Sequence, residues 1–404
     1  MLRVVQRELG KRLPAASFHA TVSHSEAPFA YRSGIVPGFY APDLRMQLLR
    51  TIPFVPRILD LLISMRNPDF ARALKTNSKA AYEIKAIAPV DAVVDVSGFA
   101  YSDSWGTESF KNAWPWLEYC QLKHKPYIFL PQAWGPFETE AVALLAKKLC
   151  SAAGMLVSRD EESSRHLARL QELPITKVRQ APDIAFRFQG APDTAGSLIL
   201  KNLGIKGDRP VIGLVPNMQV YNRTDGASGT NLYIKLLVSL VDHCSKQFNA
   251  DVLLVPNEIR VPGSKWPDDR YLCGIIAARV QDPEHCFTLR SYVSSEVVKA
   301  ILGQLDLLVA SRFHSLVFAL SQGVPVIALG WSHKYYELLL PFGMEEYIVN
   351  HDNLDAHAVI SIVEKVWEKR TDTGTCIRNT IPRLQDQVGI LFDEVAAMLL
   401  KESF

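Results

Sequence analysis

The residues best suited to chemistry in this 404-residue sequence are an arginine and a histidine two positions apart. Arg312 and His314 follow the apolar run Leu305–Ala310 and lead into a second apolar run that ends at Leu320. This pattern predicts that a strand ends and a helix begins near Ser311. Free amides at a helix start attract anions, and an arginine can add a forked contact to carboxylate or phosphate. Ser311 and Arg312 are therefore predicted to bind an anion.

A structural reading of this pair remains open, in which Arg312 pairs with a carboxylate and His314 is satisfied in the core. Residues two apart do not share a helix face, so both can reach one ligand only if Arg312 lies in the turn before the helix. A second predicted strand end also carries residues suited to ligand binding, because Trp331 and Lys334 follow the apolar run 326–329. This favours a functional role for Arg312 and His314 over a structural one. If the two strands are neighbours, Lys334 can meet the same anion, while Trp331 either lines the pocket or packs as an ordinary aromatic.

A glycine and an aspartate follow an apolar run in the first half of the chain. Gly98 comes after the run that ends at Ser97, and Asp103 lies five residues further on. Gly98 permits a tight turn or a close backbone approach. Asp103 can orient or deprotonate a hydroxyl, or it can cap a helix or a turn. The sequence alone leaves both roles of Asp103 open.

Two further strand ends complete the candidate set. Gln132 and Trp134 lie in a polar, aromatic turn that is suited to contact a sugar. Arg159 comes directly before a predicted helix, which Asp160 is expected to cap. Arg159 then either points into a cleft or forms an ion pair with Asp160 or Asp183. These residues are predicted to lie at one edge of a sheet, since ligands of open α/β sheets bind beyond the carboxyl ends of the strands.

The elements that must position these residues alternate between short β-branched runs and longer amphipathic runs. This alternation is typical of parallel sheets covered by helices on both faces. The predicted strands are Ser17–Val22, Ala92–Ser97, Pro126–Leu130, Met155–Ser158, Thr176–Gln180, Val211–Val215, Asp251–Val255, Cys286–Leu289, Leu305–Ala310 and Pro325–Leu329. The breaker-rich segment 189–196 separates the two series. The chain is too long for one core, so two domains are expected.

The predicted architecture is therefore two doubly wound, Rossmann-like domains. The first covers residues 1–190, the second covers 191–375, and residues 376–404 form a C-terminal helix that packs back on the first domain. The chain opens on a helix-like stretch, Met1–Leu13, although a doubly wound domain normally begins with a strand. The first strand of the N-terminal domain is accordingly expected to be missing.

Composition and absent motifs narrow the class of protein. Lys and Arg total 44 against 42 for Asp and Glu, so the sequence lacks the excess of basic residues that is typical of nucleic-acid-binding proteins. The six cysteines form no Cys-x-x-Cys pair, which favours buried free thiols in a reducing compartment. The sequence has no signal peptide, no apolar run long enough to span a bilayer, no dinucleotide or P-loop motif and no metal motif. These features predict a cytoplasmic enzyme that uses neither a metal nor a bound cofactor.

The whole set of motifs resembles the polysaccharide pyruvyl transferase family. The resemblance is carried by Asp91–Gly98, by Gln132 with Gly135-Pro136, by Arg159-Asp160 with Ser163, and above all by Ala310–Gly343. It implies two doubly wound domains facing a cleft, as in GT-B glycosyltransferases. Members commonly carry a loop with glycine and asparagine after a first strand, whereas this chain begins at the helix that should follow that loop.

The resemblance also implies an activity. Members transfer pyruvate from phosphoenolpyruvate onto two hydroxyls of one sugar, which forms a ketal and releases phosphate. The roles implied are His314 as the acid and Asp103 as the base, with Gly98, Gln132, Trp134 and Trp331 at the acceptor or pocket. The donor would be bound by Arg159, Ser311, Arg312 and Lys334. The implied partners are phosphoenolpyruvate as co-substrate and a sugar or lipid-linked oligosaccharide, with peripheral membrane contact left open.

Two other functions fit the same features. A GT-B glycosyltransferase with a nucleotide-sugar donor would use the same fold and basic residues, although the second half shows no suitably spaced acidic ribose ligand. A non-catalytic sugar-binding relative would have no need to keep a cation pair beside a candidate acid. The combination of Arg312, His314 and Lys334 therefore favours the pyruvyl transferase.

Overall fold

The described part of the chain divides into two compact units. The computed structural model describes residues 1–22, 34–39, 69, 83–84, 87–170, 177–224, 231–260, 267–330 and 334–401. Unit 1 comprises Met1–Ile184 and Gln387–Phe404, and unit 2 comprises Ala185–Asp386.

Unit 1 contains two parallel sheets in its described residues. Its elements are α1 (Leu2–Arg12), β1 (Phe18–Val22), β2 (Ile35–Phe39), β3 (Val93–Asp95), a 3₁₀ turn (Asp103–Trp105), α2 (Glu108–Leu122), β4 (Tyr127–Gln132), α3 (Glu140–Ala152), β5 (Met155–Ser158), α4 (Glu161–Arg169) and β6 (Val178–Gln180). One sheet pairs β1 with β2, and the other has the order β3-β4-β5-β6. All six residues of β4 are buried because this strand has a neighbour on each side. The unit-1 core therefore centres on β4.

The C-terminal segment of the chain packs within unit 1. The last helix, α13 (Arg370–Lys401), crosses from unit 2 into the residues that cluster with unit 1. Arg12 of α1 donates from Nε to a carboxylate oxygen of Asp393 at 2.6 Å, and from Nη2 to the carbonyl of Gly389. Arg179 donates to Glu394 at 2.8 Å. These contacts join the end of α13 to the first helix and to β6.

Unit 2 is built on one six-stranded parallel sheet. Its elements are a 3₁₀ turn (Ile184–Arg187, shared with the end of unit 1), α5 (Asp193–Leu203), β7 (Val211–Val215), α6 (Met218–Arg223), α7 (Leu232–Phe248), β8 (Asp251–Leu254), α8 (Asp269–Ala277), a 3₁₀ turn (Pro283–His285), β9 (Cys286–Thr288), α9 (Ser295–Leu302), β10 (Leu307–Ala310), α10 (Phe313–Leu320), β11 (Val326–Gly330), α11 (Lys334–Leu339), two 3₁₀ turns (Leu340–Phe342 and Glu345–Tyr347), β12 (Ile348–Asn350), α12 (Ala356–Glu368) and the first part of α13.

The strand order of this sheet locates its ligand-binding position. The order is β12-β11-β10-β7-β8-β9, so the first strand along the chain, β7, lies beside the fourth, β10. This is the doubly wound order, in which the connections leave β7 and β10 toward opposite edges of the sheet. A crevice forms at that switch point, beyond the carboxyl ends of the two strands. Residues that directly follow β7 and β10 are therefore the ones placed to meet a ligand.

The structure confirms all ten predicted strands, with ends that shift by no more than two residues. The helix-like stretch predicted at Met1–Leu13 is present as α1, and the C-terminal helix predicted within residues 376–404 is part of α13. Two short strands, β2 and β12, were not predicted. The prediction of buried free cysteines holds for four of them, whereas Cys286 is partly buried and Cys376 is exposed. Among the described residues, no helix is both long and apolar enough to cross a bilayer.

Candidate active site

The candidate site of unit 2 lies at the switch point between β7 and β10. Ser311 follows β10 directly, and its backbone N–H donates to the carbonyl of Val215 at the end of β7. Asn217, two residues after β7, donates from Nδ2 to the Ser311 carbonyl at 2.8 Å. The turn between β10 and α10 is therefore attached to the strand that lies on the other side of the crevice.

Ser311 holds this turn in place through buried hydrogen bonds. It is fully buried, and its hydroxyl accepts a hydrogen bond from the Tyr233 hydroxyl at 2.7 Å. The Tyr335 hydroxyl donates to the Ser311 carbonyl at 2.9 Å. Burial raises the pKa of Tyr233 and keeps this phenol protonated as a donor. Because these tyrosines and Asn217 occupy the polar atoms of Ser311, we assign it to positioning the turn and not to direct donor contact.

Arg312 occupies the last position before α10. It is the N-cap residue of that helix and has an extended backbone, so it lies in the turn before the helix. This is the position from which Arg312 and His314 can both reach one ligand. Its Nε donates to Asp269 at 2.8 Å and its Nη2 to the other Asp269 oxygen at 2.6 Å. Nη2 also donates to Glu258 at 2.7 Å. The alternative in which arginine pairs with a carboxylate is therefore observed.

The two carboxylates determine what Arg312 can do. Burial disfavours its charge, but hydrogen bonds and the charges of Asp269 and Glu258 outweigh burial, so the pKa of Arg312 is raised. Arg312, Asp269 and Glu258 together carry a net charge of −1, and Arg260, which donates to Glu258 at 2.9 Å, brings the cluster to zero. Nη1 of Arg312 has no hydrogen-bond partner among the described residues, and it is the edge of the guanidinium left for a ligand. Since these charges balance, an anion bound here needs a cation from outside the cluster.

Lys334 supplies a second cation at the neighbouring strand. The strands β10 and β11 are hydrogen-bonded neighbours. Neighbouring strands were the condition under which Lys334 was predicted to contact the same anion as Arg312. Lys334 is the first residue of α11, and its Nζ lies 5.7 Å from the centroid of the Phe313 ring. Phe313 stands between Arg312 and His314 in the chain. Lys334 therefore belongs to the same end of the sheet as this pair.

His314 lies in the first turn of α10 and is exposed to solvent. Its ring meets the Phe313 ring edge to face, with centroids 5.7 Å apart. The alternative of a histidine satisfied in the core is wrong, because this side chain is on the surface at the carboxyl end of the sheet. The predicted pocket residue Trp331 lies outside the described residues.

Two asparagines hold the β10–α10 segment and were missed by the sequence analysis. Asn217 contacts Ser311, as described above, and Asn257 accepts a hydrogen bond from the Ser315 hydroxyl at 2.9 Å. Both end an identical tripeptide, Val-Pro-Asn, which lies at the carboxyl ends of β7 and β8. This repeat at adjacent strand ends was the signal that could have identified them.

The buried partner of Arg312 was also missed. Asp269 has no exposed surface, and besides Arg312 it accepts hydrogen bonds from the backbone N–H groups of Met218, Asn257 and Glu258. It is the first residue of α8, 43 positions before Arg312. One carboxylate thus joins the segments that follow β7, β8 and β10. No local pattern in the sequence indicates this convergence.

In unit 1, Gln132 belongs to a hydrogen-bond network around Asp95. Asp95 ends β3 and accepts hydrogen bonds from the Tyr101 hydroxyl at 2.6 Å, the Tyr127 hydroxyl at 3.2 Å and Gln132 Nε2 at 3.1 Å. Gln132 is fully buried, and its Oε1 has no hydrogen-bond partner in the part of the chain that is described. Gln132 therefore supports the end of β4, and contact with an acceptor remains a prediction.

Two more of the predicted ligand-binding side chains of unit 1 are buried. Trp134 has no exposed surface, donates from Nε1 to the Val157 carbonyl and stacks on Tyr101, so it belongs to the core and offers no face to a sugar. Arg159 is 7% exposed and donates to Asp183 at 2.9 Å, which is the ion pair left open by the sequence. We therefore assign Arg159 to the interior of unit 1 and remove it from the donor site.

Asp103 anchors a loop. Its carboxylate accepts hydrogen bonds from the backbone N–H groups of Glu138 at 2.6 Å and Thr139 at 3.1 Å. Burial alone would raise the pKa of Asp103, but hydrogen bonds from Thr139 and Glu138 outweigh it and lower this pKa. A stabilised carboxylate is a poor proton acceptor, so the geometry favours the turn-bonding alternative over the role of base.

Replacing Asp103 by asparagine should therefore reduce stability in a pH-dependent way. The pKa is depressed in the folded state, so the contribution is present above the unfolded pKa of about 4 and is lost as pH falls through the folded pKa. We expect a loss of about 1–2 kcal/mol in the free energy of unfolding at neutral pH, shrinking in acid. Urea unfolding of both proteins across this pH range measures it, and a difference that is independent of pH would contradict the assignment.

The sequence of the chain is similar to a known family and to a known protein. Residues 1–333 match the family described as polysaccharide pyruvyl transferase. The chain is 22% identical over 315 residues to the amylovoran biosynthesis protein AmsJ of Erwinia amylovora, which covers 77% of this chain and 72% of that protein.

The fold of the chain is similar to that of several solved structures. HepE of Anabaena, solved in complex with UDP, matches with a TM-score of 0.58 and 12% identity over 99% of this chain and 96% of that chain. UDP-GlcNAc 2-epimerase of Neisseria meningitidis, bound to UDP-GlcNAc, matches with a TM-score of 0.56 and 13% identity over 99% and 96%. At these identities the likeness shows the fold alone, and it confirms the predicted α/β class with two Rossmann-like units of the GT-B type.

Proposed function

The chain belongs to the polysaccharide pyruvyl transferase family, and from this premise we propose that it transfers pyruvate from phosphoenolpyruvate onto a sugar. The acceptor is a sugar of a cell-surface polysaccharide or of its precursor, and the product is a pyruvate ketal on two hydroxyls. The relative named for amylovoran biosynthesis supports polysaccharide modification as the setting. The observation that carries the proposal is the placement of Arg312, His314 and Lys334 beyond the carboxyl ends of the neighbouring strands β10 and β11.

The charges at this position suit the proposed donor. Phosphoenolpyruvate carries a carboxylate and a phosphate, so it requires several donors and more than one cation. Nη1 of Arg312 provides one edge, Lys334 provides a point charge, and the free amides at the start of the eight-residue helix α10 add partial positive charge. The pairing with Asp269 and Glu258 fixes the orientation of the Arg312 guanidinium.

The proposed chemistry assigns one proton transfer to His314. His314 protonates the methylene carbon of the donor, which becomes a methyl group, and the first sugar hydroxyl forms a C–O bond to the neighbouring carbon. The proton lost by that hydroxyl returns to the histidine. The second hydroxyl then forms the other C–O bond as the C–O bond to phosphate breaks, and its proton leaves with the phosphate. Arg312 and Lys334 stabilise the departing charge.

Because the proton that His314 gives to the donor is replaced by the proton of the first hydroxyl, the reaction does not need the carboxylate base that the resemblance implied. Asp103 is engaged with backbone N–H groups, whereas a histidine can both give and accept a proton near neutral pH. We therefore propose that His314 serves both steps on the donor side, and that Asp103 acts only through the loop that it anchors.

The test of this function compares two donors with the same acceptors. Purified protein is incubated with phosphoenolpyruvate or with UDP-glucose, each with and without a panel of oligosaccharides and lipid-linked oligosaccharides, and released phosphate and UDP are measured. We expect phosphate release that depends on both phosphoenolpyruvate and a saccharide. Release of UDP with transfer of glucose, and no phosphate release, would contradict pyruvyl transfer in favour of a glycosyltransferase; saccharide binding without turnover of either donor would favour a non-catalytic relative.

The proposal extends to location and partners. Phosphoenolpyruvate is an intracellular metabolite, and no cysteine of the chain is in a disulfide, so we propose a cytoplasmic site of action. The partners are then the donor and a sugar or lipid-linked acceptor, with contact at a membrane surface made through the acceptor. No resident cofactor is part of the proposed reaction.

A further inference from the structure

An exposed tryptophan stands at the carboxyl edge of the unit-1 sheet. Trp105 is 47% exposed and ends the 3₁₀ turn that begins at Asp103, in the segment that follows β3. Of the tryptophans whose positions the structure describes, it is the one classed as exposed. Burying a large apolar side chain stabilises a fold, and an indole left half in water forgoes much of that gain. Packing within unit 1 therefore buries only part of this side chain and leaves the rest available for contact with a ligand.

The backbone nevertheless holds Trp105 firmly. Asp103 accepts hydrogen bonds from the N–H groups of Glu138 and Thr139 and donates its own N–H to the Pro136 carbonyl at 3.0 Å. Gly106 then ends the turn with a φ of 61°, a conformation that glycine adopts without strain. The turn is thus attached at its start and closed at its end, so the indole projects from a fixed support.

A second aromatic ring completes a small surface. Phe99 meets Trp105 edge to face, with ring centroids 6.1 Å apart. Gly98, just before Phe99, has a φ of 74°, and its carbonyl accepts a hydrogen bond from the N–H of Ala133 after β4. The tight turn predicted at Gly98 therefore ties the Phe99 loop to the end of β4. We call Phe99 and Trp105 the aromatic platform.

From this arrangement we propose that the aromatic platform is the acceptor subsite, and that it binds one hexopyranose ring by stacking on the Trp105 indole. The axial C–H groups of a pyranose carry partial positive charge and fit the negative face of an indole. Ser97 and Ser104 are exposed on the same segment, and the Ser97 hydroxyl donates to Asp95. The choice of a sugar rests on the proposed function, whereas the platform itself rests on its geometry.

This assignment gives Asp103 an indirect role. Asp103 lies two residues before Trp105 and anchors the turn that carries the indole. It is a positioning residue for acceptor binding, and its loss is expected to weaken saccharide binding through Trp105. A base would instead change turnover and leave the binding of saccharide intact.

The test measures saccharide binding without donor. The full chain is titrated with methyl β-D-galactopyranoside, methyl β-D-glucopyranoside and methyl α-D-mannopyranoside while tryptophan fluorescence and calorimetry are recorded. We expect saturable binding of at least one glycoside, with a fluorescence change that Trp105→Phe abolishes. Trp105→Ala should weaken binding about tenfold, and Trp105→Phe by less, because a phenyl ring retains part of the stacking surface.

The matched control is Trp367→Phe in unit 2, which should bind as the wild type does. In turnover assays, Trp105→Ala should raise KM for the saccharide about tenfold and leave KM for phosphoenolpyruvate within about twofold. Wild-type affinity in Trp105→Ala, or no saccharide binding by the wild type across the panel, overturns the proposal. Binding that depends on Trp105 without any turnover of phosphoenolpyruvate keeps the aromatic platform and rejects pyruvyl transfer.

Discussion

Replacing Asp269 by alanine should lower the free energy of unfolding by about 3–5 kcal/mol, the largest stability change expected for a single side chain of the candidate site. Asp269 has no exposed surface and accepts hydrogen bonds from Arg312 and from three backbone N–H groups. Its removal leaves the Arg312 guanidinium, 15% exposed, without its main counter-charge. Urea unfolding of the full chain, followed by circular dichroism, measures the loss.

Glu258 provides the matched control because it contacts the same arginine from a more exposed position. Its side chain is 34% exposed, and Arg312 donates to it from Nη2 at 2.7 Å. Glu258→Gln should cost at most about 1 kcal/mol, since solvent screens an ion pair near the surface. Equal costs for the two substitutions would contradict the view that Asp269 is the carboxylate that organises the segments after β7, β8 and β10.

Replacing His314 by alanine should abolish turnover while leaving the fold intact. A positioned general acid contributes about 10²–10⁴-fold to a rate, and no other titratable side chain of the site is assigned that proton transfer. We expect kcat to fall by at least about 100-fold, with KM for phosphoenolpyruvate changed by no more than a few-fold, because Arg312 and Lys334 remain. Steady-state phosphate release, with thermal unfolding as a check on folding, measures both quantities.

His357 is the control for that substitution. Like His314 it is exposed and occupies the second position of a unit-2 helix, α12. His357→Ala should therefore reproduce any general effect of losing a surface histidine from a helix start, without an effect on turnover. If His314→Ala retains activity within a few-fold of the wild type, His314 has no role as the acid.

The fold could be predicted from the sequence because the buried parallel strands are short, continuous apolar runs. β5 and β7 were predicted with the ends that the structure shows. The two missed strands lack this signal: β2 contains Pro37 and Gly38, and β12 has three residues. A strand that contains Pro and Gly, or that has only three residues, lacks the continuous apolar run from which strands are predicted. Such strands form only because the neighbouring strand supplies the hydrogen bonds.

The location of the candidate site could also be predicted, because the rule on strand ends depends on topology alone. Arg312, His314 and Lys334 were placed together from two adjacent apolar runs, and the structure makes those strands neighbours. The partners of these residues could not be predicted in the same way. Asp269 and Glu258 lie 43 and 54 positions from Arg312, and only the packing of β8 beside β7 brings them into contact.

The direction in which a side chain points could not be predicted from its position after a strand. Asp103 and Trp134 both follow strands of the unit-1 sheet, as a ligand-binding residue should. The structure turns the Asp103 carboxylate toward the backbone of Glu138 and Thr139, and it buries the Trp134 indole against Tyr101. Trp105, by contrast, was not selected, because nothing in its neighbours reveals that its ring is left in water.

Identification of the transferred group tests pyruvyl transfer most directly. The protein is incubated with phosphoenolpyruvate labelled with carbon-13 in the methylene carbon and with a saccharide acceptor, and the product is analysed by mass spectrometry and NMR. Pyruvyl transfer predicts an acceptor whose mass has increased by one pyruvate ketal, a labelled methyl signal on that product, and one phosphate released for each ketal. An acceptor that stays unlabelled while a nucleotide-sugar donor is consumed would contradict it.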